Sequence, residues 1–330
     1  MNILVTGGAG FVGTWLCGAL QPLGHSIRVV DIDGRKRPGK NLDFRVIDIL
    51  EKDRLLRAME GVDLVVHLAA KHRFFGVSES EFFRVNEAGT VSVLEAMAAH
   101  DVRRLIFYST VAVYGQTAGP AGEDTRLRPA TPYGRSKLAA EKAIMGWADR
   151  GIERSAVILR PTVIFGPLNK GNIYRLIRQI RSRAFIPVGS GKNIKSIAYI
   201  ENMIDATLFL MERAGNGLEI YNYSDTPHMA FEEIVTLIHN SLGRKPPRHR
   251  LPLESMLKLS DAVDGILSGL HVEFSLAAAI EKMNKTTYYE SEKIRGLGFH
   301  QKHSLQRGLD NMVKWYMRGA SPVEDEVAYA

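Results

Sequence analysis

The sequence predicts a doubly wound α/β fold, a parallel sheet flanked by helices, followed by a smaller, mostly helical lobe. Three observations predict it. Short apolar runs recur through the first half, helical patterns separate them, and a glycine-rich turn joins the first run to the first helix.

Residues 2–6, NILVT, read as a strand buried on both faces, because a strand with one wet face would alternate. Further strands are expected at 25–32 (HSIRVVDI), 41–49 (NLDFRVIDI), 62–70 (VDLVVHLAA), 102–110 (VRRLIFYST) and 153–161 (ERSAVILRP). Helical periodicity fills most of the gaps, notably 51–60, 79–99 and 133–150, and right-handed crossovers fix the hand of the sheet. After Gly166-Pro167 the pattern loosens into helices near 171–183, 200–213, 230–242, 253–268, 273–283 and 304–318, with only short strand candidates between them. We expect a sheet domain over 1–165, with later contributions from about 192–225, and a second lobe over most of 166–330. Ligands of open α/β sheets bind outside the carboxyl ends of the strands, so that lobe is expected to close over a substrate. The tail SPVEDEVAYA is expected to fray.

Composition bounds the function. A chain of 330 residues with 45% hydrophobic content buries a substantial core, which excludes a disordered protein. No apolar run approaches the roughly 18–20 residues that span a bilayer, and the N-terminus opens directly into a strand, so a cytoplasmic location without membrane is expected. The single cysteine, Cys17, offers neither a disulfide nor a metal cluster and reads as a small buried apolar residue. Lys and Arg outnumber Asp and Glu 43 to 36, and the excess gathers at Lys170 to Arg183, at Lys192 and Lys195, and at Arg244 to Arg250. Clusters of that size suit a small polyanion such as a pyrophosphate; a solvated face is the competing account of any single cation. No basic block is interleaved with stacking aromatics, so nucleic acid is not an expected partner.

VTGGAGFVG places Gly7, Gly10 and Gly13 between the first strand and the first helix. Glycine is required there because the turn is tight, the backbone must approach a pyrophosphate and the helix must pack closely on the strand. The helix N-terminus then presents unpaired N–H groups to the phosphates. Asp31 ends the second strand 18 positions after Gly13, where a ribose diol binds, and the three features together predict a dinucleotide-binding Rossmann domain. A carboxylate accepts from a free 2′-hydroxyl and repels a 2′-phosphate, which favours NAD; Arg35 and Lys36 are the residues that would favour NADP. Asp48 is placed to accept from the adenine amino group or to cap its loop.

Tyr133 and Lys137 in TPYGRSKLAAEK lie one helical turn apart on one face. An alcohol becoming a ketone loses a hydride and a proton together, and tyrosine, with a reference pKa of about 10, is too weak a base unaided. Bringing the phenol near neutrality requires roughly 4 kcal/mol of preferential phenolate stabilisation, which an adjacent ammonium and a positive nicotinamide ring together can supply. Ser109 and Thr110 place hydroxyls at the end of the fifth strand, where a substrate alcohol would be held. Lys71, His72 and Arg73 run into the same edge and Lys71 is a candidate substrate contact; His67 reads as a satisfied edge histidine rather than a base.

The glycine pattern, HLAA (67–70), Asn86, the Ser-Thr before VYG, the Y-x-x-x-K pair and LRPTVIFGP (159–167) together resemble the extended short-chain dehydrogenase/reductases, the nucleotide-sugar epimerase/dehydratase group. The resemblance runs the length of the chain, including SEKIRGLGFHQKHSLQRGLDNMVKWY (291–316). It implies Thr110, Tyr133 and Lys137 as the catalytic set, with Lys137 also holding the nicotinamide ribose. It also implies cofactor contacts at Phe11 and Val12 beside the glycines, at Ile49 beside Asp48, at Leu68, Ala69 and Ala70, and at Pro161 to Val163. A homodimer through helices 79–99 and 133–150 follows from the same resemblance.

Departures from the family pattern narrow the chemistry. Dehydratases of the group follow the threonine with an Asp-Glu pair for water elimination, and decarboxylases tend to carry a Glu; here Val111 and Ala112 stand there. What remains is oxidation and reduction at one carbinol. The expectation is an NAD-dependent nucleotide-diphosphate-sugar 4-epimerase; the alternative is a net 4-ketoreductase, toward which LAAAIEKMNKTTYYESEKIRGLGF (276–299) pulls. The intact Thr110, Tyr133 and Lys137 speak against a non-catalytic NAD(P)-binding protein. The family's diphosphate-binding asparagine is replaced by Val163, and its arginine by Lys195, which keeps charge but loses bidentate geometry. Lys170, Asn172, Arg175 and Arg178 are the candidates to supply that contact.

Overall fold

The computed structural model describes residues 1–39, 42–72, 76–151, 153–213, 215–269 and 275–319. Arg73, residue 41 of the expected strand 41–49, residues 273–274 of the expected helix 273–283, and the tail lie outside them. The first elements are β1 (Asn2–Thr6), α1 (Phe11–Leu20), β2 (Ser26–Asp31), β3 (Asp43–Val46), α2 (Lys52–Met59), β4 (Leu64–His67), α3 (Glu79–Phe83), α4 (Gly89–Ala99), β5 (Arg104–Tyr108), α5 (Pro132–Ala148), β6 (Ser155–Pro161) and β7 (Val163–Phe165). They are followed by α6 (Asn172–Arg181), β8 (Ile194–Lys195), β9 (Ile197–Tyr199), α7 (Ile200–Arg213), β10 (Gly217–Tyr223), β11 (Met229–Ala230), α8 (Phe231–Ser241), α9 (Leu253–Gly269), α10 (Leu276–Asn284), α11 (Glu292–Gly296) and α12 (Leu305–Met317).

Two compact units emerge. The first comprises residues Met1–Ile164, Ile200–Ser224 and Tyr289–Lys302. Its sheet has seven strands in the order β10-β6-β5-β4-β1-β2-β3, and every pair is parallel. Parallel strands with helices on both faces have no wet side, which is why β4 and β6 are buried at every position. Leu4, Val30, Val65, Leu105 and Ile158 meet Val93, Met97, Ile144 and Trp147 from the helices in one core, each buried aliphatic side chain contributing about 1.5–3 kcal/mol. The strand at 217–223 was hidden in the looser half of the sequence; it pairs with β6 from Gly217↔Ser155 to Tyr223↔Pro161 and completes the edge. The helical pattern at 79–99 divides into α3, a π-helical turn at Arg84–Ala88, and α4.

The second unit comprises residues Phe165–Tyr199, Asp225–Tyr288 and His303–Ala330. Ile173, Tyr174, Ile177 and Ile180 of α6 are buried, as are Ile234, Val235 and Ile238 of α8 and Leu309, Met312 and Val313 of α12. The Tyr174 and Tyr316 rings meet edge to face at 5.2 Å. A two-stranded antiparallel ribbon pairs Lys195 with Met229 and Ile194 with Ala230.

Candidate active site

The glycine loop follows β1 at the carboxyl edge of the sheet. A Cβ on Gly7, whose φ is +69°, would lie 2.6 Å from Ala69 N, and one on Gly13 would lie 2.4 Å from Gly8 Cα. Both obstacles are backbone, so only glycine fits. Gly10 caps α1 without a side-chain hydrogen bond, and the first turn carries no acidic residue, so the helix N-terminus is left to an anion. Phe11 and Val12, the first residues of α1, are half-buried.

Asp31 ends β2. Its carboxylate accepts from Ala9 N–H (2.9 Å) and Asp33 N–H (3.0 Å), which shapes the loop and leaves lone pairs for a diol. Asp48 accepts from Leu50 N–H (3.0 Å), a loop cap beside buried Ile49. Leu68, Ala69 and Ala70 continue β4 and are half-buried. A narrow wall of small residues beside a glycine cradle fits a dinucleotide laid across the strand ends. Pro161 is buried and Val163 exposed; Arg35 pairs with Asp33 at 3.0 Å.

Tyr133 and Lys137 lie in the first two turns of α5, where Thr131 caps the helix by accepting from Gly134 N–H at 3.1 Å. Thr110 leaves β5 with extended dihedrals, accepts from Ala112 N–H (3.1 Å), and lies beside the Tyr133 phenol, whose ionised form it favours. Burial pushes the Tyr133 phenol up to about 12, and the Thr110 hydrogen bond opposes this by favouring the phenolate. The sequence expectation has an ammonium and a positive nicotinamide ring together lowering the phenol; among the protein's own described groups, Thr110 is the one that lowers it. The Lys137 ammonium lies 3.9 Å from the centre of the Phe107 ring, fully buried, and burial brings it down to about 7 while Glu141 holds the proton on. The lysine is itself desolvated, so its positive charge is not freely available to the phenol.

Residues that sequence reasoning missed hold this helix in place. Arg160 and Glu141 form a buried bidentate pair, Nε to Oε1 at 3.0 Å and Nη2 to Oε2 at 2.6 Å. Ser109 donates to the same carboxylate, and Arg160 donates to the Tyr114 hydroxyl (2.9 Å), which donates to Asn222 (2.7 Å). Ser109 is thus committed to the core, and Thr110 is the hydroxyl beside the phenol. Asn86, buried in the π-helical turn, accepts from Lys71 N–H (2.7 Å) and donates to Lys71 O (3.0 Å) and Ser136 Oγ (2.9 Å). Ser136 in turn donates to Tyr133 O (2.9 Å), so one asparagine ties the strand-end loop to α5. The available signals were an arginine inside an otherwise apolar strand and a glutamate one turn beyond Lys137. His67 is buried between Thr6 (2.6 Å) and Thr90 (3.0 Å), and burial drops it to about 3, a neutral structural residue.

In the second unit, Asn172 opens α6 and is exposed, as are Arg175 and Arg178 on later turns; Lys170 lies 5.9 Å from the Tyr174 ring centre. Lys195 donates its ammonium to the carbonyls of Lys282 (3.0 Å) and Lys285, and burial beside Lys282 brings it down to about 8.

Residues 3–223 match the NAD dependent epimerase/dehydratase family. The chain is 33% identical over 316 residues, 95% of each chain, to the N-acetyl-α-D-glucosaminyl-diphospho-ditrans,octacis-undecaprenol 4-epimerase of Escherichia coli O157:H7. It is 28% identical over 83% of its length to the UDP-glucose 4-epimerase of Vibrio cholerae, covering 88% of that protein. Among solved structures it resembles MoeE5 in complex with UDP-glucuronic acid and NAD, with a TM-score of 0.77 and 25% identity over 96% of this chain and 99% of that one. The glycine cradle, the ordered Thr110, Tyr133 and Lys137, and a match over most of the sheet domain converge: the chain belongs to the NAD dependent epimerase/dehydratase family.

Proposed function

We propose that the chain is an NAD-dependent 4-epimerase of a diphosphate-linked hexose, oxidising the C4 carbinol to a transient ketone and reducing it from the opposite face. The observation that carries this is Thr110 beside the buried Tyr133 phenol, with buried Lys137 one helical turn on and Val111 and Ala112 where dehydratases have an acid pair. NAD, when bound, supplies the acceptor for the C4 hydride and its return. Once its own proton has passed to neutral Lys137, Tyr133 as the phenolate takes the C4 hydroxyl proton onto its oxygen and returns it to the ketone oxygen on reduction. Thr110 steadies the phenolate by donating to that oxygen. At rest the phenol is protonated, held there by burial, and any cation arriving beside it lowers its pKa. Lys137, balanced near neutrality, can lend or take a proton behind the tyrosine.

The carrier on the diphosphate is assigned to a polyprenol rather than the nucleotide expected from the sequence. In support, the E. coli relative acting on a polyprenyl-linked sugar aligns over 95% of both chains. Val163 replaces the family's diphosphate-binding asparagine, and the Lys195 ammonium is taken up by carbonyls. The similarity of 276–299 to ketoreductases favours a net reductase as the second reading. The test is NMR of products from polyprenyl-diphosphate-linked and UDP-linked N-acetylglucosamine, with and without added NADH. The expected result is the C4 epimer from the polyprenyl substrate without added NADH. Turnover of UDP-sugar alone refutes the carrier; stoichiometric loss of NADH refutes epimerisation.

A further inference from the structure

The second unit carries a charge pattern wider than a diphosphate contact would use. Residues 165–199 hold seven Lys or Arg and no Asp or Glu, so this stretch alone equals the net charge of +7 of the whole chain. Residues 243–250 add Arg244, Lys245, Arg248 and Arg250, again without a carboxylate. The fold sets the two stretches side by side. Arg244 donates to the carbonyls of Ile180 (2.6 Å) and Arg181 (2.7 Å), docking its loop on the last turn of α6. Farther along, Leu251 N–H donates to Pro187 O (2.9 Å) and Gly189 N–H to Leu251 O (2.9 Å).

Arg181, Arg183, Lys245 and Arg248 therefore share one surface, and all four are exposed. Among the described residues none of the four pairs with a carboxylate, while neighbouring acids are engaged: Glu232 with Arg250 at 3.1 Å and Glu254 with Lys258 at 2.9 Å. Apolar side chains are interleaved with them. Ile186 is 55% exposed, Leu251 42%, and Met317, whose sulfur meets the Arg181 guanidinium, 51%. A diphosphate needs convergent donors within a few ångströms, whereas these cations sit on two separate stretches, Arg181 at the end of α6 with Arg183 just past it, and Lys245 and Arg248 on the loop docked there. Spread cations with apolar side chains among them match a lipid headgroup layer.

We infer that this face docks the protein on an anionic lipid bilayer, the cations meeting headgroups while Ile186, Leu251 and Met317 enter the boundary. The inference rests on the proposed lipid-linked substrate, which is presented only at a membrane. Among the described residues no helix is long and apolar enough to cross one, and docking of this kind needs none.

The test is co-flotation of the full chain, without substrate, with vesicles of phosphatidylglycerol and phosphatidylethanolamine against vesicles of phosphatidylcholine, at 0.15 M salt. Binding to the anionic vesicles alone is expected. The combined Arg181→Gln, Arg183→Gln, Lys245→Gln, Arg248→Gln variant should lose at least about tenfold in partitioning. Ile186→Ser with Leu251→Ser should lose several-fold and become more salt-sensitive. Both should keep wild-type turnover of a short-chain, water-soluble polyprenyl-diphosphate sugar. Equal binding to both vesicle types, or anionic binding unchanged in the charge variant, overturns the docking face. Vesicle binding with turnover of UDP-sugars alone would leave the face standing and remove the carrier assignment.

Discussion

Substituting Glu141 by Ala isolates the buried charge pair that joins α5 to β6. The Glu141 and Arg160 side chains are 0% and 2% exposed, joined by two hydrogen bonds, so removing the carboxylate leaves a guanidinium in the core with, among the described residues, the Tyr114 hydroxyl to answer it. Breaking such a pair from one side costs about 3–5 kcal/mol, because the remaining charge keeps its full desolvation penalty. For a unit of this size that corresponds to a fall in Tm on the order of 10 °C, read by calorimetry or differential scanning fluorimetry. Replacing both partners, Glu141→Met with Arg160→Met, removes the stranded charge and should recover more than half of the loss. Glu141 is also the group that holds the Lys137 proton, so any alkaline limb of kcat that reflects the charged lysine should move to lower pH in Glu141→Gln. A single variant within about 2 °C of wild type, or a double variant no better than the single, refutes the account.

Three further outcomes are expected. Tyr133→Phe keeps the edge contact with Phe82 at 6.3 Å but loses the oxygen that carries the proton, so kcat should fall at least about a thousandfold with NAD affinity, by fluorescence quenching, nearly unchanged; wild-type rates would remove Tyr133 from its role. Gly13→Ala drives a Cβ into Gly8 backbone at 2.4 Å and should destabilise by about 1–3 kcal/mol and weaken NAD binding, whereas Gly18→Ala, with nothing within 4 Å on the same helix, should stabilise by about 0.5–1 kcal/mol; paired melts decide, and equal shifts would sink the cradle argument. Lys137 is depressed to about 7 in the fold from 10.5, so the unfolded chain binds more protons between these values and folding stability from this group rises with pH across that window. Lys137→Met should flatten that rise between pH 7 and 10, and parallel Tm-against-pH curves for the two proteins would refute it.

The sheet was legible because its strands are buried on both faces: NILVT and SAVILRP contain their own assignment. β10 was not, since GLEIYNY is half-exposed along its first four residues and its partner lies far away in sequence at 155–161. The split at 84–88 left no trace in the periodicity, because a π-helical turn shifts hydrogen bonds without changing which residues are apolar. Tyr133 and Lys137 could be picked out by spacing and the glycines by their place after a strand. Glu141 and Ser136 could not, because a polar residue in a helix reads as surface until its partner on another element is known, and Arg160 in β6 could be given no role without that partner. Lys195 shows the converse: charge at a matching position does not reveal that two carbonyls already hold the ammonium.

The sheet domain is assembled from discontinuous stretches, and its outermost strand arrives from residue 217 onward. A fragment ending near 165 would leave β6 with a row of bare amides and carbonyls along a strand that is buried at every position in the fold, a template for strand-to-strand aggregation. Any attempt to express the cofactor domain alone, or to graft it onto another protein, must therefore carry the returning segment with it.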